Sequence, residues 1–158
     1  MKPMIRAAIT DCHKYWCLEG FEQMIVLESI ANLTVTRAGL RLLGFQRWKN
    51  TITWLTRKKT WRAAAVSPAE FAARVARLEE AVASRLPFRT NCLVRSLGLL
   101  WMLGERGIKA ELKIGARKDS DHFEAHAWVE FEGLVLNDAG ETHLHFIPFQ
   151  EAVTSLET

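Results

Sequence analysis

The hydrophobic period of this chain changes at Gly107, from three or four residues before it to two after it, and this constrains the fold more than any other feature. Upstream, Phe21, Met24, Ile25, Leu27, Ile30, Ala31 and Leu33 recur at helical spacing. A further helical segment, Thr36 to about Leu55, continues through Leu40, Leu43, Trp48 and Ile52, with interruptions at Gly39 and Gly44. Ser67-Pro68-Ala69-Glu70 is a capping box with proline at the first helical position, and Phe71, Val75, Leu78 and Val82 then mark one face as far as Pro87. Asn91 is a suitable N-cap for a last helix, Cys92 to Arg106, which keeps Leu93, Leu97, Leu100 and Leu103 in register until Gly107 ends it. Downstream, Glu111–Ala116, Ala125–Phe131 and Leu134–Asp138 read as strands, and the residues from His143 to Phe149 as one more short strand. Helices first and an antiparallel sheet after them make an α+β fold.

With 158 residues, 49% of them apolar, the chain is long enough for one domain with its own core. We expect that domain to span 1–158, with a helical N-terminal part over 1–66. The formal charge of +3 is too mild to suggest nucleic acid, and the basic run Arg57-Lys58-Lys59-Thr60-Trp61-Arg62 reads as a solvated loop or helix end. Cys12, Cys17 and Cys92 are odd in number and form no redox or metal-type pair, which points away from a secreted disulfide framework and towards a cytoplasmic protein. Residues 1–20 carry charge throughout, unlike a signal peptide, and no apolar run is long enough to span a bilayer.

Three residues stand out chemically: Cys92, His126 and Asp138. A thiol beside an imidazole with a carboxylate behind it is the minimum equipment for covalent acyl chemistry. Cys92 falls in the first turn of its helix, where free N–H groups and the helix dipole favour a thiolate and could help hold an oxyanion. His126 lies in the alternating strand Ala125-His126-Ala127-Trp128-Val129-Glu130, sharing a face with Trp128 and Glu130. Singly, each has an ordinary explanation: a buried small cysteine, a structural strand histidine, a turn aspartate. For His126 and Asp138 to meet directly across a hairpin, Glu130 must pair with Leu134 and Trp128 with Leu136. That expectation leaves Phe131-Glu132-Gly133 as a three-residue loop with glycine at its left-handed position; a two-residue loop would put the two side chains on opposite faces. Asp11-Cys12-His13 and Cys17 lack a second pair to complete a metal site, and His122, His143 and His145 bring no cysteine or carboxylate cluster. Gly104-Glu105-Arg106-Gly107 closes a helix rather than opening one, so no phosphate loop is present.

Together, Cys92-Leu93-Val94-Arg95-Ser96-Leu97-Gly98-Leu99, Arg106-Gly107-Ile108-Lys109-Ala110-Glu111-Leu112-Lys113-Ile114-Gly115, Ala125-His126-Ala127-Trp128-Val129-Glu130 and Val135-Leu136-Asn137-Asp138 resemble the lasso-peptide leader peptidases. These are transglutaminase-like, papain-like cysteine peptidases, and the likeness is close over about residues 67–140. It implies a transglutaminase-like catalytic core over 67–158, with Cys92 as nucleophile, His126 as general base and acid, Asp138 as the orienting acid, and neither metal nor cofactor. It implies as substrate a ribosomally made lasso precursor whose leader is removed in the cytoplasm, before an asparagine-synthetase-like cyclase, a further candidate partner, closes the ring. The first half reads helical throughout and not as a winged helix, so we expect the split form, in which a separate winged-helix-type recognition protein delivers the leader and the peptidase alone acts poorly. The apolar and basic front, including Arg57 to Arg62, is a candidate docking surface. Two alternatives stay open: an acyl transferase using the same three residues, and a non-catalytic peptide-binding module in which they are vestigial.

Overall fold

A computed structural model describes residues 20–61, 66–119, 122–138 and 142–149. In chain order the elements are α1 (Gly20–Thr56), α2 (Pro68–Ala83), α3 (Cys92–Glu105), β1 (Glu111–Asp119), β2 (His122–Phe131), β3 (Leu134–Val135), a 3-10 turn (Thr142–His145) and β4 (Ile147–Pro148). The antiparallel sheet has the order β3-β2-β1-β4. The α+β arrangement read from the change in period is therefore the one observed. Asp11, Cys12, His13, Cys17 and Arg62 lie outside the described residues.

The centre of the fold is α3, which is apolar on nearly every side because something packs on nearly every side. Leu99, Met102 and Leu103 join Ile25 of α1, Val75 of α2 and Val129 of β2 in one cluster. Leu97 meets Trp48, Ile52, Leu112 and Ala127 in a second, and Val94 meets Leu33 and Val82 in a third. Both ends of α3 are fixed as its sequence suggests. The Asn91 side chain accepts from the Val94 N–H at 2.9 Å. At the other end Gly107 has φ 77°. Its N–H bonds Gly104 O at 2.9 Å while that of Ile108 bonds Leu103 O at 3.0 Å, the paired bonds of a Schellman stop. Helix α2 starts where the capping box predicts, with Ser67 Oγ accepting from the Glu70 N–H at 3.1 Å. It ends at Ala83, a turn before Pro87.

The helical front departs from its expected division. There is no break between Leu33 and Thr36; the interruption is at Gly44, whose φ of 77° and ψ of 171° are not helical. Gly39 stays helical and serves another purpose, since a Cβ there would lie 2.5 Å from the Trp48 ring. A kink at one glycine thus lets the indole pack against the other. The predicted strand at 143–149 is also divided: Thr142–His145 is a 3-10 turn, and only Ile147–Pro148 pairs with β1.

Glu79 of α2 is fully buried, and neither carboxylate oxygen has a hydrogen-bond partner. Its Oε1 and Asn32 Oδ1 both lie within 4 Å of where a side chain on Gly98 would begin. Burial raises this carboxyl from 4.5 to about 8, against the opposing pull of Arg95. Between these values the folded protein keeps a proton that the unfolded chain has released, so stability falls as pH rises from about 4.5 to about 8. Glu79→Gln removes the charge without the volume. We expect its melting temperature to match the parent near pH 4 and to exceed it increasingly up to about pH 8, the full penalty being on the order of 5 kcal/mol. Thermal scans across pH check this, and a difference independent of pH would contradict it.

Candidate active site

Cys92 is the first residue of α3, held at the helix start by the Asn91 cap and packed, half-buried, against the Leu97–Ala127 cluster. His126 projects from β2 on the same face as Trp128 and Glu130, as alternation predicts. Its ring packs against Trp128, with centroids 5.9 Å apart and planes at 20°, and against Phe146, with centroids 5.3 Å apart. Gly115 is the cross-strand partner of His126. A Cβ there would meet Phe146 Cβ at 2.9 Å and the Trp128 ring at 3.1 Å, so bare backbone is what allows these rings to close around the imidazole. Trp128, 1% exposed, donates its indole N–H to Glu130 Oε1 at 2.6 Å.

The hairpin register differs from the expected one. Glu130 pairs with Val135 and Phe131 with Leu134, leaving a two-residue loop. Glu132 and Gly133 both have positive φ, 50° and 79°, as a type I′ turn requires. A regular strand with this pairing would turn Asp138 away from His126, yet Asp138 Oδ1 lies 3.5 Å from His126 Nε2. The strand is not continued. The Leu136 N–H still bonds Val129 O at 2.9 Å, but the Val129 N–H goes to the side chain of Asn137, whose Oδ1 accepts it at 2.8 Å. The backbone is freed from the ladder at this point, bends at Asn137, and carries Asp138 back to the imidazole.

The same Asn137 side chain reaches α3. Its Nδ2 donates to Ser96 Oγ at 3.0 Å, and Ser96 Oγ donates to Ala127 O at 2.9 Å. Ser96 is fully buried one helical turn after Cys92, and Ala127 follows His126. One network therefore joins the Cys92 helix, the His126 strand and the Asp138 segment.

Asp138 also has a partner that the strand reading of 143–149 concealed. Its Oδ2 accepts from the His143 backbone N–H at 2.5 Å and lies 2.7 Å from His143 Nδ1. Burial alone would push the Asp138 carboxyl up. The His143 backbone and ring, His126 and the Thr142 hydroxyl outweigh it and hold the group below the usual carboxylate range. His126 Nε2 is itself buried and makes no hydrogen bond; its approach to Asp138 Oδ1 is 3.5 Å.

Cys92, His126 and Asp138 open on one cavity of about 290 Å³, whose remaining wall is Glu80, Arg95, Asn137 and Thr142. Arg95 and Glu80 form an ion pair across α3 and α2. Among the described residues no group of three or more histidines, cysteines and acids is placed to hold a metal ion. In chemical terms one cavity is lined by a thiol at a helix N-terminus and by an imidazole backed by a carboxylate.

Residues 33–151 match the family described as the transglutaminase-like superfamily. The chain belongs to that superfamily. A transglutaminase-like chain with helices ahead of a curled antiparallel sheet is in keeping with the elements described above. It is also similar to the microcin J25-processing protein McjB of Escherichia coli, 44% identical over 52 residues. That match covers 33% of this chain and 24% of the relative, so the chain corresponds to only a part of it. No solved structure matches.

The shared network makes a quantitative expectation for this transglutaminase-like site. Ser96→Ala leaves Asn137 Nδ2 and the buried Ala127 O without the hydroxyl they share and should cost about 1–3 kcal/mol. Asn137→Ala removes the partner of the Val129 N–H as well. In a urea double-mutant cycle we expect the two losses to be non-additive by more than about 0.5 kcal/mol; additive losses would mean that Ser96 and Asn137 do not act together.

Proposed function

We propose that this transglutaminase-like protein is a cysteine endopeptidase that removes the leader from a ribosomally made lasso-peptide precursor, with Cys92, His126 and Asp138 as its catalytic triad. The observation that carries the reading is the single cavity on which the three residues open, with the thiol on the first residue of a helix. The similarity to a microcin J25-processing protein supports the substrate class.

Because His126 Nε2 faces Asp138, Nδ1 is the ring nitrogen available to take the thiol proton. The Cys92 thiolate adds to the carbonyl carbon of the last leader residue. The tetrahedral oxyanion is met by the backbone N–H groups at the start of α3 that the Asn91 cap does not take. On collapse the C–N bond breaks, and the His126 imidazolium gives its proton to the departing amine of the core peptide. Water, deprotonated by His126, then attacks the thioester carbonyl, and the leader leaves as a carboxylic acid while the thiol is restored. Asp138, held ionised by its hydrogen bonds, keeps the imidazole in the tautomer that this cycle needs.

In this reading a separate winged-helix-type protein presents the leader, and Arg57 and Lys58, both exposed at the end of α1, belong to the surface offered to it. Among the described residues no helix is long and apolar enough to cross a membrane.

The test is cleavage of a lasso precursor in the presence of its recognition protein. Cys92→Ala should lower the rate by about 10³-fold or more, and undiminished cleavage would exclude the mechanism. Because the superfamily is transglutaminase-like, the acyl acceptor is checked in the same reaction by mass spectrometry. Free leader acid indicates hydrolysis, whereas an amide-linked leader would replace the peptidase reading with acyl transfer.

A further inference from the structure

Asp138 faces two imidazoles, not one, with a separate oxygen turned to each. Oδ1 is directed at His126 Nε2, 3.5 Å away, and Oδ2 at His143 Nδ1, 2.7 Å away. The Asp138 side chain is only 5% exposed, so few positions are open to its carboxylate. Oδ2 also takes the His143 backbone N–H at 2.5 Å. Two donors from one residue converge on one oxygen. The backbone N–H and the Thr142 hydroxyl hold the carboxylate as well, and the His143 ring N–H adds a donor from a further direction, which fixes the plane and with it the position of Oδ1. The second donor is itself held, because the His143 ring packs against Trp128 with centroids 5.9 Å apart. Trp128 is also the indole on which His126 stacks. One buried tryptophan therefore supports both imidazoles.

We propose that His143 is a positioning residue of this site: its Nδ1–H fixes the Asp138 carboxylate so that Oδ1 is presented to His126. The inference rests on the triad reading above, and it adds a fourth member acting through the third. An ionised carboxylate only accepts, so the His143 Nδ1 carries the proton. The competing account is that the His143 bond merely fastens the 3-10 turn Thr142–His145 to the sheet. That account predicts a loss of stability without a specific effect on His126.

The experiment compares the wild-type protein with His143→Leu and His143→Asn, since the asparagine amide can place an N–H where Nδ1–H stood. Long-range proton–nitrogen NMR of the imidazoles reads the tautomers without any substrate. Wild type should show His143 protonated at Nδ1 and His126 at Nε2. His143→Leu should lose the single His126 tautomer and lower kcat for precursor cleavage by about 10- to 100-fold, with KM changed by less than about two-fold. His143→Asn should recover both. An unchanged His126 tautomer and kcat in His143→Leu would overturn the proposal, as would His143→Asn behaving no better than His143→Leu. Should His143→Leu not fold, a wild-type His143 without a proton on Nδ1 overturns it, and the Asn variant carries the positive arm. If none of the proteins cleaves a precursor, the peptidase reading fails, while the tautomers still decide the role of His143.

Discussion

The Asn137 side chain stands in for a backbone carbonyl, and the geometry of the site depends on that substitution. By accepting the Val129 N–H that the ladder would have given to Leu136, it ends β3 without leaving a buried donor unpaired. By donating to Ser96 it ties the end of the strand to the helix that begins at Cys92. Each bond is worth about 1 kcal/mol net, but the positional effect is larger. Without the exit at Asn137, period-two alternation would turn Asp138 to the far side of the sheet from His126.

Around this network the fold supplies rigidity at the two other corners. Helix α3 is packed by α1, α2 and the sheet and is fixed at both ends, so its first residue, Cys92, is set by the whole core. His126 is held by the Trp128 and Phe146 rings, and the bare backbone of Gly115 makes room for them. Rigid elements thus carry the thiol and the imidazole, while the carboxylate sits just beyond β3 and its second imidazole on the 3-10 turn Thr142–His145. The buried, unpartnered Glu79 lies one residue from Glu80, whose ion pair with Arg95 forms part of the cavity wall.

Much of this was legible in the residues. The α+β order followed from the change in period. The caps at Ser67, Asn91 and Gly107 followed from local hydrogen-bonding needs, and all three form. The three candidate residues do share a cavity. The hairpin register was not legible, because Gly133 is left-handed in the observed two-residue turn and would be so in a three-residue loop as well. The glycine could not discriminate, and the choice went to a turn that forces Glu132 to positive φ. His143 was weighed as a site residue and set aside because 143–149 alternates like a strand, whereas Thr142–His145 is a 3-10 turn hydrogen-bonded to Asp138. Ser96 and Asn137 act through tertiary contacts 41 residues apart in sequence, which no local pattern encodes. A small polar residue inside the apolar run of α3 and a glycine within β1 were the available signals.

All of these elements bear on one chemical claim, that Cys92 becomes joined to the leader. Intact-mass spectrometry of the protein, acid-quenched during turnover of a precursor, tests it most directly. The account predicts an adduct equal to the leader mass less one water, located at Cys92 and released by hydroxylamine as a thioester is. Precursor cleavage with no such adduct under single-turnover conditions, or an adduct on a residue other than Cys92, would contradict it.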